Sequence, residues 1–108
     1  MTIPQPVRIL LADDHEIVRR GLRMLLETRP EWEICGEAAD GRKAVQLTRE
    51  LSPHLVIMDL GMPELNGLEA SRQIAQLTNS LVLMLTMHET EQFIREALNE
   101  YLKPYMVA

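Results

Sequence analysis

Two adjacent aspartates, Asp13 and Asp14, close an apolar run in "ILLADDHEIV", and a third, Asp59, ends another in "HLVIMDL". Burying a carboxylate is costly unless something compensates it, and a second like charge beside it adds to the cost. Three such groups at one edge make a hard-oxygen site suited to Mg2+, which keeps several waters and takes few protein ligands. Thr86, closing "SLVLMLT", and Lys103, in "YLKPY", add a hydroxyl and an ammonium if the fold carries them to the same edge. A lone Asp ahead of a helix is ordinarily an N-cap, and Asp13 and Asp14 stand where one is expected. Asp59 starts no helix of its own, so capping does not account for all three. Capping and metal binding can also coexist, one acid for each.

Other chemistries find little support. There is no G-x-G-x-x-G after the first apolar run and no G-x-x-x-x-G-K-[ST], so nucleotide cradling has no motif. A Cys/His metal cluster and a G-x-S-x-G nucleophile are missing as well. His15, His54 and His88 are dispersed and read as polar surface or strand edge. His15 and His88 do stand beside the expected site, where they can modulate it.

The elements that must position these groups follow from periodicity. "VRILLA" (7–12), "EWEICGEA" (31–38), "HLVIMDL" (54–60) and "SLVLMLT" (80–86) are short apolar runs that predict strands. The third, apolar almost throughout, suits a strand covered on both faces. Between them, Ile17, Val18, Gly21, Leu22, Leu25 and Leu26 recur at helical spacing, closed by Pro30. Ala44, Val45, Leu47, Thr48 and Leu51 form a second stripe closed by Pro53. Leu68, Ile74 and Leu77 predict the inward face of a third helix, and Phe93, Ile94, Ala97 and Leu98 that of a fourth. "YLKPYMVA" is expected to open a fifth strand. This strict alternation predicts an α/β fold: a doubly wound parallel sheet joined by right-handed crossovers, with helices on both faces. In such sheets ligands bind beyond the carboxyl ends of the strands, where the strand order switches direction. Asp13, Asp14, Asp59, Thr86 and Lys103 all fall at those ends.

The totals narrow the class. A chain of 108 residues, 46% hydrophobic and 25% charged, suits one globular domain. A net charge of −5 argues against nucleic-acid binding by the chain itself, because phosphate contacts need clustered Lys and Arg. The single cysteine, Cys35, reads as a buried thiol in a reducing cytosol. No run approaches membrane-spanning length and no signal-peptide pattern opens the chain, so a cytoplasmic location without membrane contact is expected.

"ILLADDHEIVRRGL", "LVIMDLGMPELNGLEA" and "VLMLTMHE" together resemble the receiver domain of bacterial two-component response regulators, most closely the NarL/FixJ-type branch. The resemblance implies a flavodoxin- or CheY-like fold and a signalling role. It implies that Asp59 accepts a phosphoryl group from a sensor histidine kinase. Mg2+ would be held by Asp13, Asp14, Asp59 and the backbone carbonyl of Gly61. Thr86 would be the switch hydroxyl, Lys103 the phosphoryl ion pair, and Tyr101 the candidate aromatic switch residue. Pro63 and Gly67 match the loop that shapes the turn after the acceptor. The output implied is transcriptional, with DNA contacted only through an output domain outside this chain. A homodimer is a further implied partner.

The interval from Thr86 to Lys103 is shorter than the family pattern and lacks its glycine-bearing connection. The expected domain is therefore a receiver over residues 1–108 with a shortened C-terminal part, without the final helix or a DNA-binding output domain. Such a domain would be no enzyme beyond assisting its own phosphorylation and dephosphorylation. Two other classes are open: an interaction or dimerisation module that is not phosphorylated, and a Mg2+-dependent phosphohydrolase. The latter ordinarily carries its nucleophile after the first strand and needs a cap over its substrate.

Overall fold

The apolar runs and amphipathic segments form the expected alternation. The computed structural model describes residues 6–59, 62, 64–85 and 91–102. In chain order the elements are β1 (Val7–Ala12), α1 (Glu16–Leu26), β2 (Trp32–Ala38), α2 (Gly41–Leu51), β3 (Leu55–Asp59), α3 (Gly67–Leu77), β4 (Leu81–Leu85) and α4 (Glu91–Leu102). The strands pair in parallel, in the order β2-β1-β3-β4.

Alternating side chains divide the interior between the two faces of the sheet. On one face Val7, Ile9, Leu11, Leu55 and Ile57 meet Leu22 and Leu26 of α1. On the other, Leu10, Ala12, Val56 and Met58 meet Ala44 and Val45 of α2 and Ala70 and Ile74 of α3. Every residue of β3 is buried, which accounts for its unbroken apolar run.

Both helices on the second face begin with a side-chain cap. Asp40 accepts the Lys43 N–H at 2.8 Å and Asn66 accepts the Glu69 N–H at 2.9 Å. The start of α2 also passes so close to the loop before α3 that a Cβ on Gly41 would lie 1.7 Å from the Leu65 carbonyl oxygen. In that loop Glu64 holds φ at 68°, in the left-handed region that side chains disfavour. Leu65, shortly before α3, is thus held tightly against the start of α2.

α4 departs from the expected arrangement. A right-handed crossover leading from β4 to a further strand would carry the helix over the α2–α3 face. Instead Leu98 is wholly buried with Leu22 and Leu26 of α1, with Ile94 and Ala97 packed alongside. Leu83 and Leu85 of β4 belong to the same cluster, and the burial of apolar area there favours this position for α4. Tyr101 and Leu102 complete α4, so no strand opens at Tyr101, and residues 103–108 fall outside the described residues.

Several predicted inward positions are exposed. Ile17 is 84% exposed and, like Met24 seven residues on, stands on the side of α1 away from Leu22 and Leu26. Val18 is in line with the buried stripe but sits in the first turn and is open as well. On α3 the buried line is Gly67, Ala70 and Ile74. Leu68 lies off that line and Leu77 ends the helix, so both are exposed. Phe93 is similarly half-exposed on α4. β4 is only partly buried, with Leu81 open, because among the described residues it pairs with β3 alone. Cys35 is half-buried; it is the extra residue of a bulge, since Ile9 pairs with Ile34 and Leu10 with Gly36.

Candidate metal centre

β1 and β3 are neighbours at the centre of the sheet, and from β1 the strand order runs outward to β2 on one side and to β3 on the other. This is the switch point at which an open α/β sheet offers a crevice. Ala12 pairs with Met58, so one further step in the same register sets Asp13 level with Asp59. Both carboxylates are buried, Asp13 to 7% exposure and Asp59 to 8%. Asp14 and His15 are exposed beside them, and one ligand atom from each of the four residues lies within 4.8 Å of the others.

Local hydrogen bonds hold the turn. The Asp13 N–H donates to the Ala38 carbonyl at 3.0 Å, extending the contact of β1 with β2 past its last residue. Asp13 Oδ1 accepts the His15 backbone N–H at 2.8 Å, and the Arg19 guanidinium donates to the Asp13 carbonyl at 2.6 Å. Arg19 is itself held by Glu37 of β2, at 3.2 Å. The N-cap of α1 is His15, with no side-chain cap. A side-chain cap on α1 therefore does not explain Asp13 or Asp14.

The sequence left His15 as a modulator, but its ring belongs to the cluster. Nδ1 stands 3.0 Å from Asp13 Oδ1 and 3.0 Å from Asp14 Oδ1. The hydrogen bond with Asp13 and then the negative charge of Asp14 raise the pKa of the imidazole above its ordinary value. The signal was adjacency: a residue immediately after the two acids can fold its ring back over them. Thr86, Lys103, Gly61, Pro63 and His88 lie outside the described residues. β4 ends at Leu85, paired with Asp59, and Thr86 follows it in the chain.

The donor set fits a small divalent cation. Three carboxylates supply hard oxygens, two from buried positions and one at the open rim, which is the chemistry Mg2+ prefers. A cavity of about 670 Å³ lies elsewhere, between α2 and α3, lined by Arg42, Arg49, Glu50, Gln46 and Gln73. It has no carboxylate cluster and lies away from the switch point, so the chemistry is assigned to the crevice at Asp13, Asp14 and Asp59.

The family model of the response regulator receiver domain matches residues 9–107. This chain belongs to the response regulator receiver family. The receiver is 39% identical over 100 residues to the transcriptional regulatory protein YdfI of Bacillus subtilis, a match covering 93% of this chain and 47% of that protein. A solved structure of a LuxR-family two-component response regulator from Aurantimonas sp. is 43% identical with a TM-score of 0.73, covering 88% of this chain and 69% of that one. The CheX–CheY–BeF3−–Mg2+ complex of Borrelia burgdorferi contains a chain 25% identical at a TM-score of 0.73, covering 87% of the receiver and 72% of that chain. The receiver spans about half the length, or less, of the curated relatives it matches. Among the described residues no helix is long and apolar enough to cross a membrane.

Proposed function

We propose that this receiver accepts a phosphoryl group on Asp59 from a sensor histidine kinase, with Mg2+ held by Asp13, Asp14 and Asp59. The observation that carries the reading is the meeting of three carboxylates, from two neighbouring strand ends, at the switch point of the sheet. In the transfer an Asp59 oxygen forms the new bond to phosphorus as the bond to the donor's histidine nitrogen breaks. A carboxylate is a weak nucleophile, so positioning and charge neutralisation must do most of the catalysis. Bound Mg2+ would offset the charge on the phosphoryl oxygens. Burial holds Asp59 in place, and β3 and β1 fix its distance from Asp13.

The family pattern adds the Gly61 carbonyl as a further ligand, Thr86 as the hydroxyl that turns toward the phosphoryl group, and Lys103 as its ion pair. The aspartyl phosphate brings charge and strong acceptors that these groups can meet, and the loops carrying them shift with it. The domain is thus a regulatory acceptor, not a turnover enzyme. Relatives named as transcriptional regulators support control of transcription through a DNA-binding output region, with pairing of two copies as one route. The similar structures solved with the phosphomimetic BeF3−, one of them together with Mg2+, support the same chemistry here.

Incubation of the chain with a small acyl-phosphate donor and Mg2+ tests the proposal. The expected product is a stoichiometric, hydroxylamine-sensitive label that Asp59→Asn abolishes. Continuous release of phosphate would favour a phosphohydrolase instead, and an unlabelled chain would favour a phosphorylation-independent interaction module.

A further inference from the structure

The His15 ring lies on the oxygens that the proposed metal would need. Its Nδ1 is hydrogen-bonded to Asp13 Oδ1 at 3.0 Å and stands equally far from Asp14 Oδ1, so one ring nitrogen faces two carboxylates of the cluster. The ring is exposed, packs into neither apolar cluster, and makes no capping bond to α1. Its position is therefore set by the two acids. The backbone N–H of the same residue also reaches Asp13 Oδ1, at 2.8 Å, and that bond holds the turn whatever the side chain does.

We propose that His15 is an internal competitor for the metal site: its imidazole occupies Asp13 and Asp14 and must swing away before Mg2+ can be gripped. The inference rests on the reading of the cluster as a Mg2+ site. Mg2+ favours oxygen donors and imidazole is a poor ligand for it, so the ring has no place in the coordination shell and only opposes its formation. A ring bonded to Asp13 and facing Asp14 also offsets their mutual repulsion, which lowers the gain from bringing in a cation. His15 thus sets the Mg2+ concentration at which the receiver is competent.

Calorimetric titration of the full chain with MgCl2 at fixed pH tests this, comparing wild type, His15→Ala and His15→Phe. Both variants keep the backbone bond to Asp13 and lie outside the core, and the second keeps a ring without its N–H. Each is expected to bind Mg2+ about threefold to tenfold more tightly than wild type, the worth of one solvent-exposed charge-assisted hydrogen bond. In wild type, addition of Mg2+ is expected to shift the His15 ring nitrogen resonances. Equal or weaker binding by both variants, or tighter binding by His15→Ala alone, overturns the competitor role and leaves the metal site standing. Failure of wild type and both variants alike to bind Mg2+ removes the site reading and the competitor with it.

Discussion

At the scale of residues, the cluster is a balance of repulsion and compensation. Asp13 and Asp59 are buried side by side with Asp14 at the rim, and the His15 ring compensates them by its hydrogen bond to Asp13 and its closeness to Asp14. Replacing one buried acid by its neutral isostere relieves repulsion. Asp59→Asn is expected to stabilise the chain in chelator by about 1 kcal/mol, a rise in melting temperature of several degrees. A lower melting temperature would show that the contacts Asp59 makes within the protein outweigh its repulsion from Asp13 and Asp14. The three aspartates were legible in the sequence because an acid ending an all-apolar strand has few structural uses. The part His15 plays was not, because the direction of an exposed ring depends on its neighbours in space.

Among the elements, two contacts hold the site's frame and each can be tested. Arg19 and Arg23 of α1 pair with Glu37 of β2, and the Arg23 hydrogen bond, ahead of the other contributions, pulls the Glu37 carboxyl below its ordinary value of 4.5. A group with a depressed folded pKa adds stability above its unfolded pKa and loses it as pH falls through the folded value. Comparison of wild type with Glu37→Gln by chemical denaturation should therefore show a gap near neutral pH that closes only below pH 4.5. Solvent screening limits that gap to about 0.5–1 kcal/mol. A gap independent of pH would assign it to packing. The second contact is Gly41 against the Leu65 carbonyl. Gly41→Ala must push the α2 start and the loop before α3 apart, and a loss of roughly 2–4 kcal/mol in unfolding free energy is expected. Unchanged stability would show that the loop yields easily. Element types and approximate limits were readable from periodicity and proline stops; the caps at Asp40 and Asn66 and the depth of each helical stripe were not. Ile17, Leu68, Leu77 and Phe93 are exposed because a stripe is buried only where the sheet lies beneath it.

For the whole molecule, the two apolar clusters meet only through the sheet, and the sheet ends in the crevice. A ligand that binds the folded crevice and not the unfolded chain raises the stability of the entire domain. Mg2+ at about 100 times its dissociation constant should add roughly 2.7 kcal/mol to the unfolding free energy. Thermal melts in chelator and in Mg2+ measure it. Superimposable melts would separate the acidic cluster from metal binding altogether. The net charge of −5 gives the chain no overall electrostatic attraction for nucleic acid.

The order of apolar runs and amphipathic segments determined an α/β parallel sheet, and three motifs determined the family, because periodicity and short-range chemistry are written along the chain. That Asp13 and Asp59 share one edge of the sheet followed from a general rule of such sheets, whereas the pairing of β1 with β3 that sets them side by side is a fact of the fold. The side of the sheet on which α4 lies, the bulge at Cys35 and the His15 ring across Asp13 and Asp14 were decided only in three dimensions. Each depends on which apolar surface or charged group stands nearest after packing, and nearest in space is a relation the linear order does not carry.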